Sequence, residues 1–118
     1  MAEIKEYKNL INGEWKESKE QITIYSPIDN KEIGKVQAMT HKEIDDAMAA
    51  AKAAMKAWRE VPIVERAKVL YKAAELLEKR KDEIGEVLAE EVAKNLKSAV
   101  SEVVRTADLI RYTAEEGI

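Results

Sequence analysis

Leu96-Lys97-Ser98-Ala99-Val100-Ser101-Glu102-Val103-Val104-Arg105-Thr106-Ala107-Asp108-Leu109-Ile110-Arg111-Tyr112-Thr113-Ala114 is the stretch whose spacing decides the fold. Leu96, Val100, Val103, Ala107, Ile110 and Ala114 advance in alternating steps of four and three, which holds them on one face of a helix. Gly117 follows as a natural C′ residue, with Ile118 as its apolar follower. At about 100° per residue, Arg105 projects directly away from that stripe. Ser101, Asp108, Leu109 and Tyr112 surround it. A face that meets only water has no need of Leu109 and Tyr112, so this second face is expected to receive something.

Upstream, residues 40–117 read as almost continuous helix. Thr40-His41-Lys42-Glu43 is a capping box, in which the threonine hydroxyl accepts from the Glu43 N–H and the glutamate reaches back. Ile44, Met48, Ala51, Met55 and Trp58 then share one face. Pro62 ends that helix and suits the first turn of the next. The second helix carries Ile63, Ala67, Leu70, Ala74 and Leu77 on one stripe. The charged run from Glu78 to Glu83 predicts a bend or short break. Ile84, Val87, Leu88 and Val92 resume the apolar face, and Asn95 marks an end and restart.

Residues 1–38 read instead as short strands and turns. Tyr7 to Ile11 predicts a strand, Asn12-Gly13 a tight hairpin turn, and Glu14-Trp15-Lys16 the returning partner. Ile22 to Tyr25 is a β-branched run stopped by Ser26-Pro27, Asp29-Asn30 supplies turn chemistry, and Ile33 to Val36 predicts another strand. Strands so few and short need support from other elements. The expected fold class is therefore α+β, helix-dominated, with short N-terminal β-hairpins followed by three to four long α-helices.

Composition narrows the function classes. The 118 residues leave room for one domain. Apolar residues make up 46% and charged residues 36%, a balance of solvated helices around a modest core. Twenty basic against twenty-three acidic side chains give a net charge of −3, so no nucleic-acid partner is expected. With no cysteine, disulfides, thiolate metal sites and thiol nucleophiles are excluded within these residues. No apolar run approaches the length of a membrane span, and the start lacks a signal-like segment. No membrane partner and a cytoplasmic location are expected.

Most candidate chemistry fails at the residue level. His41 is the only histidine and sits just after a helix cap. The acidic pairs Asp45-Asp46, Glu90-Glu91 and Glu115-Glu116 diverge by about 100° on a helix. Lys79-Arg80-Lys81 is balanced at once by Asp82-Glu83. The glycines at 13, 34, 85 and 117 form no phosphate-binding loop. Arg105 is the one candidate worth carrying. Its guanidinium suits either a surface ion pair with Asp108 or an anion clamp, since the planar fork matches phosphate oxygens. Spacing leaves both open.

At Asn9-Leu10-Ile11-Asn12-Gly13-Glu14-Trp15 the sequence resembles the opening hairpin of the aldehyde dehydrogenase superfamily. Tyr25-Ser26-Pro27 through Glu32-Ile33-Gly34-Lys35-Val36 is similar to that family's strand, turn and strand. Ala57-Trp58, then Glu65-Arg66-Ala67, Leu70, Ala74 and Leu77-Glu78, is similar to its first two helices. Glu91-Val92-Ala93-Lys94, Lys97 through Ala107, and Tyr112-Thr113-Ala114-Glu115-Glu116 narrow the resemblance to the non-phosphorylating, NADP-dependent glyceraldehyde-3-phosphate dehydrogenases. Ala-Lys-Asn at 93–95 departs from the Gly-Lys-Pro usual in the superfamily, a departure this subfamily tolerates.

The resemblance implies that residues 1–118 are the N-terminal segment of a cofactor-binding domain whose full fold is α/β. It implies oxidation of glyceraldehyde 3-phosphate to 3-phosphoglycerate, a glycolytic and cytoplasmic setting, and a homo-oligomeric enzyme. The segment's partners would be the small aldehyde substrate and the rest of the enzyme chain. Arg105, in the Val-Val-Arg-Thr motif, would contact the substrate phosphate. The catalytic cysteine, general-base glutamate and NADP-binding loops would lie beyond position 118, so no catalytic, cofactor or metal residue is expected here and the segment alone should be inactive. Some family members bind a monovalent cation at places matching Ile24 or Tyr25 and Glu91. Two other readings remain: a dehydrogenase for another small aldehyde, with Arg105 structural, and a non-catalytic helical interaction module.

Overall fold

The turn at Asn12-Gly13 forms as expected. Both residues adopt positive φ, 52° and 76°, which the twist of a two-residue hairpin requires. The computed structural model describes residues 4–118; residues 1–3, the start of the expected strand region, lie outside it. The chain divides into two compact units, one ending at Glu60 and the other running Val61–Ile118.

The first unit holds β1 (Lys5–Tyr7), β2 (Asn9–Ile11), β3 (Glu14–Lys16), β4 (Glu20–Tyr25), β5 (Glu32–Ala38) and α1 (His41–Glu60). β2 pairs antiparallel with β3, placing Leu10 opposite Trp15. β5 is the centre of a separate sheet, antiparallel to β4 and parallel to β1. The stretch from Tyr7 to Ile11, expected to be one strand, is thus divided at Lys8 between two sheets. The division is held by Gln37, buried on β5. Its Nε2 donates to the Tyr7 carbonyl at 2.9 Å, and its Oε1 accepts from the Ser18 N–H at 2.8 Å. A buried amide satisfied at both ends is what ties these segments. Between β4 and β5 the Ser26 N–H donates to the Lys31 carbonyl at 2.8 Å, around a turn that places Asn30 at φ 56°.

The capping box at the start of α1 is present in both directions. The Thr40 N–H donates to Glu43 Oε2 at 2.7 Å, and the Glu43 N–H donates to Thr40 Oγ1 at 3.3 Å. The apolar face that follows forms but is not covered: α1 has no buried residue, and Met48 and Met55 are more than half exposed.

The second unit is α2 (Ile63–Lys79), α3 (Lys81–Val92) and α4 (Leu96–Glu116), with α4 packed on both others. Pro62 stands one place before α2, its carbonyl accepting from the Glu65 N–H at 2.9 Å. The break expected between Glu78 and Glu83 falls at Arg80. Asn95 caps α4, its side chain accepting from the Ser98 N–H at 3.4 Å. Gly117 differs from expectation. It takes right-handed helical geometry, φ −83°, and its N–H continues the helix ladder to the Thr113 carbonyl. Ala93 instead takes the left-handed cap at φ 54°, the conformation that ends α3.

Small side chains make the core: Ala67 and Ala74 on α2, Gly85 on α3, and Ala99, Val103, Ala107 and Ala114 on α4. The expected stripe on α4 is therefore shifted. Ala99 joins the buried set, while Leu96 remains half exposed. Helices that approach this closely fit only small groups between their axes, and larger side chains are displaced to the edges of the seam. A Cβ on Gly85 would lie 2.6 Å from Val100 Cγ2 and 3.2 Å from Val100 Cα.

Gly85→Ala should consequently lower the urea midpoint. Overpacking costs about 1–3 kcal/mol, against about 1 kcal/mol of helix propensity gained. The penalty should shrink in a Val100→Ala background, because the worst contact is with Cγ2; equal penalties in a double-mutant cycle would contradict the close approach. The capping box has a pH signature. The Thr40 N–H and hydroxyl hold Glu43 below its ordinary range. A depressed folded-state value stabilises the helix fully above the unfolded glutamate value of about 4.3, and that contribution is lost as pH falls through the lower folded value. Hydrogen-exchange protection in the first turn of α1 should fall on that acidification and become insensitive to it in Glu43→Gln. The start of α2, which has no side-chain cap, serves as the internal control.

Candidate functional site

The seam that buries Ala99, Val103, Ala107 and Ala114 fixes the rotation of α4 about its axis, and so decides what its other face presents. That face carries Glu102, Arg105, Thr106, Asp108, Leu109 and Tyr112, which line one open depression. Leu109 and Tyr112 are each more than 60% exposed, as the sequence pattern predicts. Arg105 shares the depression with them and is exposed.

The ion pair between Arg105 and Asp108 that spacing allowed does not form. Asp108 Oδ1 instead accepts from Arg111 at 3.1 Å. The other terminal nitrogen of Arg111 donates to Glu78 Oε2 on α2 at 2.6 Å. On the opposite side, Glu102 is paired with Lys94, which lies in the turn between α3 and α4. No ion pair of Arg105 is present among the described residues. Lys94, through its hydrogen bond and its charge, is the main cause of a lowered Glu102 pKa; Arg105 is the smallest. The guanidinium of Arg105 therefore stands in a depression with hydroxyl and aromatic neighbours and no carboxylate bound to it. Such an arrangement offers an anion a planar fork of donors beside an apolar wall.

Sequence reasoning missed both outer pairs. Arg111 and Asp108 stand three residues apart on one helix, a legible spacing. Lys94 and Glu102 are eight apart and meet only because Ala93 turns the chain through a left-handed residue, which a non-glycine sequence does not announce.

His41 is the exposed first residue of α1. Arg80 of the basic run is held in a two-bonded pair with Glu83, at 3.0 and 2.7 Å. Tyr25 ends β4 in the first unit and Glu91 lies on α3 in the second; both are exposed. Among the described residues no group of three or more histidine or carboxylate side chains could hold a metal ion. No helix among them is long and apolar enough to cross a membrane. Among the described residues α2 starts after Pro62 and α4 after Asn95, so neither of these helices opens on a glycine-rich turn.

Residues 15–118 match the family model of the aldehyde dehydrogenase family. A NADP-dependent glyceraldehyde-3-phosphate dehydrogenase from Streptococcus equinus is 55% identical over 114 residues, covering 97% of this chain and 24% of the relative. A malonate-semialdehyde dehydrogenase from Lacticaseibacillus casei is 36% identical over 113 residues, covering 94% of this chain and 23% of that protein. The crystal structure of an NADP-dependent glyceraldehyde-3-phosphate dehydrogenase from Bacillus halodurans C-125, complexed with NADP, superposes with a TM-score of 0.92 at 48% identity, over 94% of this chain and 24% of that one. The chain thus spans about a quarter of the length of the relatives it matches.

Proposed function

Because the chain belongs to the aldehyde dehydrogenase family, we propose that it forms part of a cytoplasmic, homo-oligomeric enzyme that oxidises glyceraldehyde 3-phosphate with NADP and without phosphorylation. The observation that carries the substrate assignment is the unpaired guanidinium of Arg105, set among Thr106, Leu109 and Tyr112 on the exposed face of α4. The relative with 55% identity supports it, since its name specifies that substrate and cofactor.

This chain's share of the reaction is binding and orientation. Arg105 donates hydrogen bonds to the substrate phosphate, and the charge-assisted, forked geometry fixes the position of the far end of the aldehyde. Tyr112 and Leu109 supply an apolar wall beside the pair. NADP, when bound to the enzyme, accepts the hydride. Its binding belongs to residues outside this chain, as does the nucleophile, because the 118 residues contain no cysteine. The relative acting on malonate semialdehyde favours a second reading. A carboxylate at the far end of a small aldehyde would meet the same guanidinium.

Substitution of Arg105 by Ala in a full-length enzyme carrying this chain decides between these readings. The expected result is a loss of about 10- to 150-fold in kcat/KM for glyceraldehyde 3-phosphate, the scale of losing hydrogen bonds to a charged group. Unphosphorylated glyceraldehyde should be affected little. Equal losses for both aldehydes would remove the phosphate contact, and a selective loss with malonate semialdehyde alone would favour the second reading.

A further inference from the structure

Arg105 has a carboxylate three residues away on each side, Glu102 towards the start of α4 and Asp108 towards its end. Residues three apart are neighbours on a helix surface, so either would ordinarily pair with it. Each is held by another cation, Glu102 by Lys94 and Asp108 by Arg111. We infer that Lys94 and Arg111 are positioning residues: by occupying the two carboxylates that flank Arg105, they keep its guanidinium free for the anionic end of the substrate. The inference rests on the phosphate-binding reading of Arg105.

Both cations are anchored from outside Arg105's own turn. The left-handed Ala93 ends α3 and returns the chain to α4, so that Lys94 reaches Glu102 from the junction of the two helices. Arg111 is anchored to α2 through Glu78 at 2.6 Å, and its side chain is only about one-third exposed, 32%. A freed Glu102 or Asp108 would act twice against an incoming phosphate. It would compete for the guanidinium donors, and its charge would repel the phosphate across a few ångströms. Lys94 and Arg111 cancel that charge as well as sequestering the oxygens. The direction of the Glu102 pKa agrees, since Lys94 is its dominant stabilising neighbour and Arg105 only a minor one. The pairs are surface pairs, and exposed ion pairs are weak. The effect on binding is therefore a few-fold one, distinct from the larger loss expected when the guanidinium itself is removed.

The test is a charge series at Lys94 and Glu102 in a full-length enzyme carrying this chain, assayed with glyceraldehyde 3-phosphate and with glyceraldehyde. Lys94→Met should raise KM for the phosphorylated aldehyde about two- to fivefold, with kcat nearly unchanged and no change in KM for glyceraldehyde. Adding Glu102→Gln should restore KM, because the competing carboxylate is gone. Lys94→Arg, which keeps the pair, should stay near the native value. A purely structural role for the pair would leave the double variant as impaired as Lys94→Met, and a damaged fold would raise both substrates' KM together; either result overturns the inference. So does a neutral Lys94→Met. Arg105→Ala run beside the series separates the two levels. If its loss is confined to the phosphorylated aldehyde while Lys94→Met is neutral, only the positioning role is refuted. If its loss is equal for both aldehydes, the phosphate-binding reading itself is refuted, and the positioning role with it.

Discussion

The close approach of α3 to α4 at Gly85 and Val100 is the constraint on which the second unit depends. A gap too small for a single Cβ brings the two helices into backbone contact. It also sets which residues of α4 face inward, and Ala99, Val103, Ala107 and Ala114 are the ones buried there. Once that inner face is fixed, the 3.6-residue turn leaves no freedom on the outer one. Arg105, Leu109 and Tyr112 are exposed together as a consequence of alanines on the far side of the same helix. Packing and candidate chemistry are thus two faces of one rotation angle.

Electrostatics then refines what packing presents. α4 carries Glu102, Arg105, Asp108 and Arg111 within three turns, and Lys94 comes from the preceding junction. Pairing sorts them so that one cation is left over. The left-over group is Arg105, which lines the depression, while Lys94 and Arg111 are bound. An anion-binding site on a chain of net charge −3 needs such local sorting, since the overall field does not favour anions.

The two units also show where this chain's own core ends. α1 has no buried residue, and much of the apolar surface of α2 and α4 remains open, including Leu70, Leu76 and Leu96. Amphipathic faces form here from local periodicity whether or not they are covered. Their coverage is a matter of what packs on them.

Much was legible in local spacing. The Asn12-Gly13 turn, the Thr40-Glu43 box, the break near Arg80, the Asn95 cap and the exposure of Leu109 and Tyr112 all follow from interactions within a few residues, where chain connectivity itself brings the groups together. The family was legible from short motifs, and Arg105 from its position opposite the apolar stripe. What only tertiary structure decided involves partners distant in sequence. The parallel pairing of β1 with β5, the Gln37 bridge between Tyr7 and Ser18, the bond from Arg111 to Glu78, and the capture of Glu102 by Lys94 each join segments that no local period relates. The same holds for the left-handed Ala93 and the right-handed Gly117, where helix packing and the closing ladder outweighed the intrinsic preferences of alanine and glycine. Local preference amounts to about a kilocalorie per residue, and the packing of a whole helix overrides it.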